Sequence, residues 1–173
     1  MSQYIDTNEF TRLGRVEAGT LPLTSLARMT ADLPEQLANA AATWDVRGQL
    51  IGEGLRAKRI LFVHVHASPT VICQRCLQPF TLAISSDNRL EVVDTEAELD
   101  GHEDSDDEPD LVERILASPR LDLLALVEDE LILALPYVPK HEVCPALPDA
   151  LKDEGKDVGR SSPFAVLSQL KKD

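Results

Sequence analysis

The chain has 173 residues with 43% hydrophobic content, enough for one ordinary domain with a real core. Aromatic residues make up only 4%, so Leu, Val, Ile and Ala must fill that core. A formal net charge of −13 argues against a protein whose main task is coating phosphate backbone, and against docking on an anionic membrane. The start "MSQYIDTNEF" has no basic n-region and no apolar h-region, so no secretory signal is expected there. No apolar run approaches the roughly 20 residues a membrane helix needs. Three cysteines cannot make a full disulfide framework, and a reducing cytoplasm is the plain expectation.

In chain order, "LPLTSLARM" (Leu21 to Met29) predicts a short helix with Thr24 as N-cap. "ATWDVRGQLIG" (Ala42 to Gly52) alternates, with Trp44, Val46, Gly48 and Leu50 on one face, which predicts a half-buried strand. Leu55 to Ser68 predicts a stronger one. Leu61, Val63, Val65 and Ala67 share one face; Ile60, Phe62, His64 and His66 share the other. Phe80 to Asp94 reads as further strand with a turn at Ser86 to Asn88. Strands with no helical pattern between them predict an antiparallel meander.

The composition then shifts. Glu96 to Asp110 carries nine acidic residues and no basic one, which is −9 of the −13 and leaves −4 for the rest. Such a block repels itself and is expected to stay extended and solvated, or to dock a basic partner through groups such as Asp104, Asp106, Asp107 and Glu108. From Ser118 to Pro139, Leu123, Leu124, Val127, Leu131 and Leu135 recur at three- and four-residue steps. They predict a long helix lying over the sheet, stopped by Pro136. Its Glu128, Asp129 and Glu130 predict a solvated or partner-facing edge. The fold class expected is α+β, a single domain over 1–147 with the acidic loop 96–110 inserted. A polar tail, 148–173, follows and ends in a short helix at 163–171, with Ser162 as its cap.

The chemistry centres on "VICQRCLQPF". Cys73 and Cys76 have the spacing of a zinc knuckle, and "KHEVCP" offers His141 and Cys144 at a similar step. Together they would make a Cys3His structural site joining the turn after the second strand to the segment after the long helix. Unmetallated buried thiols are the bland alternative. A redox pair is a third, although Pro79 and the β-like run after the pair leave no helix to lower a thiol pKa. His64 and His66, without a nearby carboxylate pattern, read as surface residues. No phosphate-cradling loop, nucleophile elbow or basic-aromatic stripe is legible.

"CQRCLQPF", the acidic stretch, "DLLALVEDELILALPYVPKH" and the terminal "SPFAVLSQLKK" fall in an order that resembles the bacterial YceD family of large ribosomal RNA subunit accumulation proteins. The resemblance runs from about Ala67 to the C-terminus. It implies a cytoplasmic, non-enzymatic protein needed for accumulation or processing of 23S ribosomal RNA, and it supplies no catalytic residue. It also implies a functional link to a small basic large-subunit ribosomal protein, whose gene commonly neighbours those of the family. Some members of that family carry a second CxxC-like pair where this chain has His141 and Cys144. Acidic charge and an RNA role together point to an indirect mechanism, in which the acidic surfaces hold a basic ribosomal protein or assembly factor. The alternative is direct RNA contact through Arg56, Lys58, Arg59 and Arg75.

Overall fold

The computed structural model describes residues 3–54, 57–100 and 112–145. The elements in order are β1 (Tyr4–Ile5), α1 (Thr7–Arg12), β2 (Val16–Pro22), a 3-10 turn (Leu23–Ser25), α2 (Ala27–Thr30), β3 (Ala41–Ile51), β4 (Lys58–Ala67), β5 (Thr70–Ile72), β6 (Pro79–Thr81), β7 (Ile84–Val93), α3 (Glu96–Asp100), β8 (Glu113–Leu116), β9 (Leu121–Asp122) and α4 (Leu123–Ala134). The class is α+β, with strands that are mostly antiparallel.

Alternation decides the central sheet. In β3 and β4 apolar side chains alternate, and with the apolar ends of β7 they form one buried face: Trp44, Val46, Leu61, Val63, Val65, Leu90 and Val92. β2, β3, β4 and β7 pair antiparallel in that spatial order. The sheet is not a pure meander, because β8 closes its edge in parallel with β7, Val92 opposite Ile115. The expected turn at Ser86 to Asn88 is also absent. Ser86 pairs with Val65 and Asn88 with Val63, so both lie in the middle of β7.

Three helical pieces, not one long helix, share the work of covering the buried face. α4 has twelve residues. It begins at Leu123 because Leu121 and Asp122 pair as β9 with β1, and because the Asp122 carboxylate caps the N–H groups of Leu124 and Ala125. Leu123, Val127 and Leu131, four residues apart, are fully buried in the core. Each such side chain contributes roughly 1.5–3 kcal/mol of burial. Pro136 lies just past its end, as expected.

The N-terminal third is more ordered than its weak alternation suggests. Asp6 caps α1 by accepting from the N–H groups of Asn8 and Glu9. Phe10 of α1 drives into the core over Gly48, where an added Cβ would sit 2.6 Å from the Phe10 carbonyl oxygen. Gly48 is therefore the gap in β3 that admits α1. Thr24 is not a helix N-cap: Leu23–Ser25 is a 3-10 turn, and α2 starts only after Leu26 with no side-chain cap. Glu96–Asp100, expected to be extended, is helical. The rest of the acidic block from 101, and the tail with its expected helix at 163–171, lie outside the described residues. No described helix is long and apolar enough to cross a membrane.

Candidate metal centre

Between the short strands β5 and β6 the chain makes a tight knuckle. The Cys73 N–H donates to the Gln78 carbonyl and the Leu77 N–H returns to the Cys73 carbonyl. Closing so short a turn needs a left-handed residue, and Leu77 supplies it at φ +59°. Gln36 fastens the hairpin from outside: its amide accepts from the Thr70 N–H and donates to the Thr70 carbonyl. The Gln74 N–H then reaches across to the Pro139 carbonyl, which brings the segment after α4 against the knuckle.

That docking assembles Cys73, Cys76, His141 and Cys144. Their ligand atoms all lie within 4.8 Å of one another. Cys73 Sγ is 3.7 Å from Cys144 Sγ, and His141 Nδ1 is 3.4 Å from Cys76 Sγ and 4.0 Å from Cys144 Sγ. A tetrahedral zinc with bonds of about 2.3 Å to sulfur and 2.0–2.1 Å to nitrogen would set edges of about 3.8 Å and 3.6 Å. The donor chemistry and the spacing both suit a metal ion.

The surroundings favour thiolate. Burial opposes ionisation of Cys73, but the backbone around His141, Cys76 and Arg75 holds the charged sulfur, and its pKa falls well below the ordinary thiol value, to about 5. Cys76 is pushed up, by burial first and then by the neighbouring sulfurs. A cation among them removes that conflict. Arg75, which sequence reasoning offers to RNA, turns inward. Its Nε donates to Cys144 Sγ at 3.0 Å, and its Nη2 donates to the His141 carbonyl at 2.9 Å. The only trace in the sequence is a cation between the two cysteines. Phe80 is a second unforeseen participant, its ring 4.3 Å from that of His141.

The other expected site residues lie apart from the cluster. Glu130 is buried and accepts from Ser86 Oγ and Asn88 Nδ2 of β7, so it joins α4 to the sheet and does not face a partner. Glu128 caps α2 through the N–H groups of Arg28 and Met29, and Arg28 pairs with both Glu128 and Asp129. Of the three carboxylates only Asp129 stays largely exposed. Asp104, Asp106, Asp107, Glu108 and Arg56 fall outside the described residues. Lys58 pairs with Glu91; Arg59 binds Asp94 and Asn8 and holds the Asp94 carboxyl below its usual range. Lys58 starts β4, whereas Arg75 follows its end, roughly 30 Å of strand away at about 3.3 Å per residue. Lys58, Arg59 and Arg75 therefore make no common patch. His64 and His66 are exposed, and His64 bonds to Asp87 across the β4–β7 pair.

The family model described as "Large ribosomal RNA subunit accumulation protein YceD" matches residues 61–171, more than half of the chain. The chain belongs to the YceD family. The matched stretch contains all four cluster residues. A curated YceD relative, the large ribosomal RNA subunit accumulation protein of Haemophilus influenzae, is 35% identical over an alignment of 112 positions. That alignment covers 57% of this chain and 58% of the relative's length. No solved structure matches.

Proposed function

We propose that this protein is a non-enzymatic, cytoplasmic factor for the accumulation of 23S ribosomal RNA and assembly of the large subunit. In this reading it carries one structural zinc on Cys73, Cys76, His141 and Cys144, and it acts by holding a basic large-subunit ribosomal protein or assembly factor. The observation that carries the role is YceD family membership through residues 61–171. The zinc reading is supported by four residues of zinc-ligating type whose donor atoms lie within 4.8 Å of one another, the number a structural site uses. The partner reading is supported by charge: −9 of the −13 lies in one fifteen-residue block, a concentration suited to a basic surface.

Two measurements test this. Native mass spectrometry of protein purified without chelator is expected to show one zinc per chain, lost in Cys144→Ala. Titration against purified basic large-subunit proteins is expected to show binding that weakens steeply with salt. A metal-free chain with three freely reactive thiols refutes the zinc reading. Absence of salt-sensitive affinity for every such protein refutes the partner reading.

A further inference from the structure

The two faces of the five-stranded sheet differ in kind. One is buried under α1, α2 and α4. On the other, α3 meets only the end where β8 joins, through Arg114 Nη1 donating to the Glu98 carbonyl. Register fixes what the open part displays. Arg47 of β3, Phe62 of β4 and Arg89 of β7 stand in one row across three neighbouring strands. Both arginines are exposed and Phe62 is half-buried. The Arg89 guanidinium lies over the Phe62 ring, 5.7 Å from its centroid. Two and four residues along β4, His64 and His66 point the same way, beside a shallow depression of about 560 Å³ that Thr20, Thr43 and Ser85 help to line.

The charge of this face departs from that of the chain. Away from the end under α3, Arg47 and Arg89 set two positive charges against Asp45 and Asp87, so the open part is neutral on a molecule of −13. Asp87 is bonded to His64, and Glu91 is paired with Lys58 and Arg114. Among the described residues Arg47 forms no ion pair.

We propose that this open sheet face binds single-stranded RNA. An unpaired base stacks on Phe62 in place of the Arg89 guanidinium, Arg89 and Arg47 on either side take the flanking phosphates, and His64 and His66 extend the contact strip along β4. A ring bracketed by guanidinium groups on a shallow sheet suits splayed bases; a duplex hides its base faces and would meet only the phosphate contacts. Repulsion from the acidic block is short-ranged, because charges more than about 8 Å apart are largely screened at physiological salt. The site involves neither the metal cluster nor the acidic block, so it stands or falls apart from the proposed partner.

The test is fluorescence anisotropy with the full chain and a labelled single-stranded RNA of about 10 nucleotides, within the usual span of such sites. A matched duplex and an acidic peptide serve as competitors. The single strand is expected to bind and to resist both. Phe62→Leu, which keeps an apolar side chain under the row, is expected to weaken binding about tenfold, in the range of one lost stacked base. Arg47→Ala with Arg89→Ala is expected to lower the slope of log affinity against log salt by about 1.4, two phosphate contacts' worth. Arg12→Ala on α1 is expected to change neither, and thermal melts check that each variant folds. No binding at low salt overturns the proposal. So do duplex or peptide displacing the strand equally well, and folded Phe62 and double-arginine variants that bind like the parent.

Discussion

Leu77 holds a backbone conformation that costs a side-chain-bearing residue roughly 1–2 kcal/mol, and its side chain is 71% exposed, with little packing to offset that cost. Leu77→Gly is therefore expected to be more stable than Leu77→Ala by about 1 kcal/mol, the reverse of the order at ordinary positions, as read by denaturant midpoints. Arg75 works through the sulfur it touches. Arg75→Gln is expected to weaken metal binding about 10- to 100-fold in chelator competition, the usual cost of losing an outer contact to a ligand. The Cys73 thiol gives a sign to pH. Its folded pKa lies below the unfolded one, so in metal-free protein its favourable contribution is absent below about pH 5, grows as pH rises, and is complete near the ordinary thiol value of about 8.5. Thermal melts of reduced, chelated protein across that window check the slope. Cys144→Ala should leave a slope of the same sign, because the backbone groups holding the Cys73 sulfur remain.

At the scale of elements, α4 is fixed by apolar packing, and the Glu130 carboxylate ties it to the sheet. Glu130→Ala leaves Ser86 without its acceptor and Asn88 with Glu113 alone, and is expected to cost about 1–3 kcal/mol; Glu130→Gln, which keeps one acceptor oxygen, should cost less. Gly48→Ala would force α1 away from β3 and is expected to cost more than 2 kcal/mol, seen as a lower Tm. The strands were legible in the sequence because Leu61, Val63 and Val65 alternate without a break. The full length of β7 was less so, since Ser86 and Asn88 look like turn residues until Glu130 is seen to satisfy them. α1 is hard to read from sequence because six residues carry too little periodicity, although Asp6 followed by Thr7, Asn8 and Glu9 is a cap signal in plain view. The partner-facing edge at 128–130 misled for a different reason. Sequence shows that a residue is charged, and only the packing of Arg28 and β7 shows where the charge is spent.

For the whole molecule, acidity and architecture separate cleanly. The density of carboxylates is greatest in 96–110, whereas the described core draws on α1, the central sheet and α4. Removing residues 101–110 is thus expected to shift Tm by less than about 2 °C while lowering the salt-sensitive affinity for a basic ribosomal protein by tenfold or more. A large loss of thermal stability in that deletion would show the block to be part of the folded structure. The four cluster residues are legible from spacing alone. What spacing could not reveal was Arg75 among the sulfurs, because a cation between two cysteines reads equally well as a surface charge.

The knuckle also fixes an order of events. Cys73 and Cys76 leave the site of synthesis some 65 to 71 residues before His141 and Cys144 follow, and everything from β6 to α4 lies in that interval. A metal ion captured early could satisfy only half its coordination. Bringing the halves together across so long a loop becomes favourable only once β7 has joined β4 and α4 has docked. In the proposed zinc-bound state, full coordination would act as a certificate of completed folding, issued last and withdrawn first, and a truncated or half-folded chain would be unable to hold the ion.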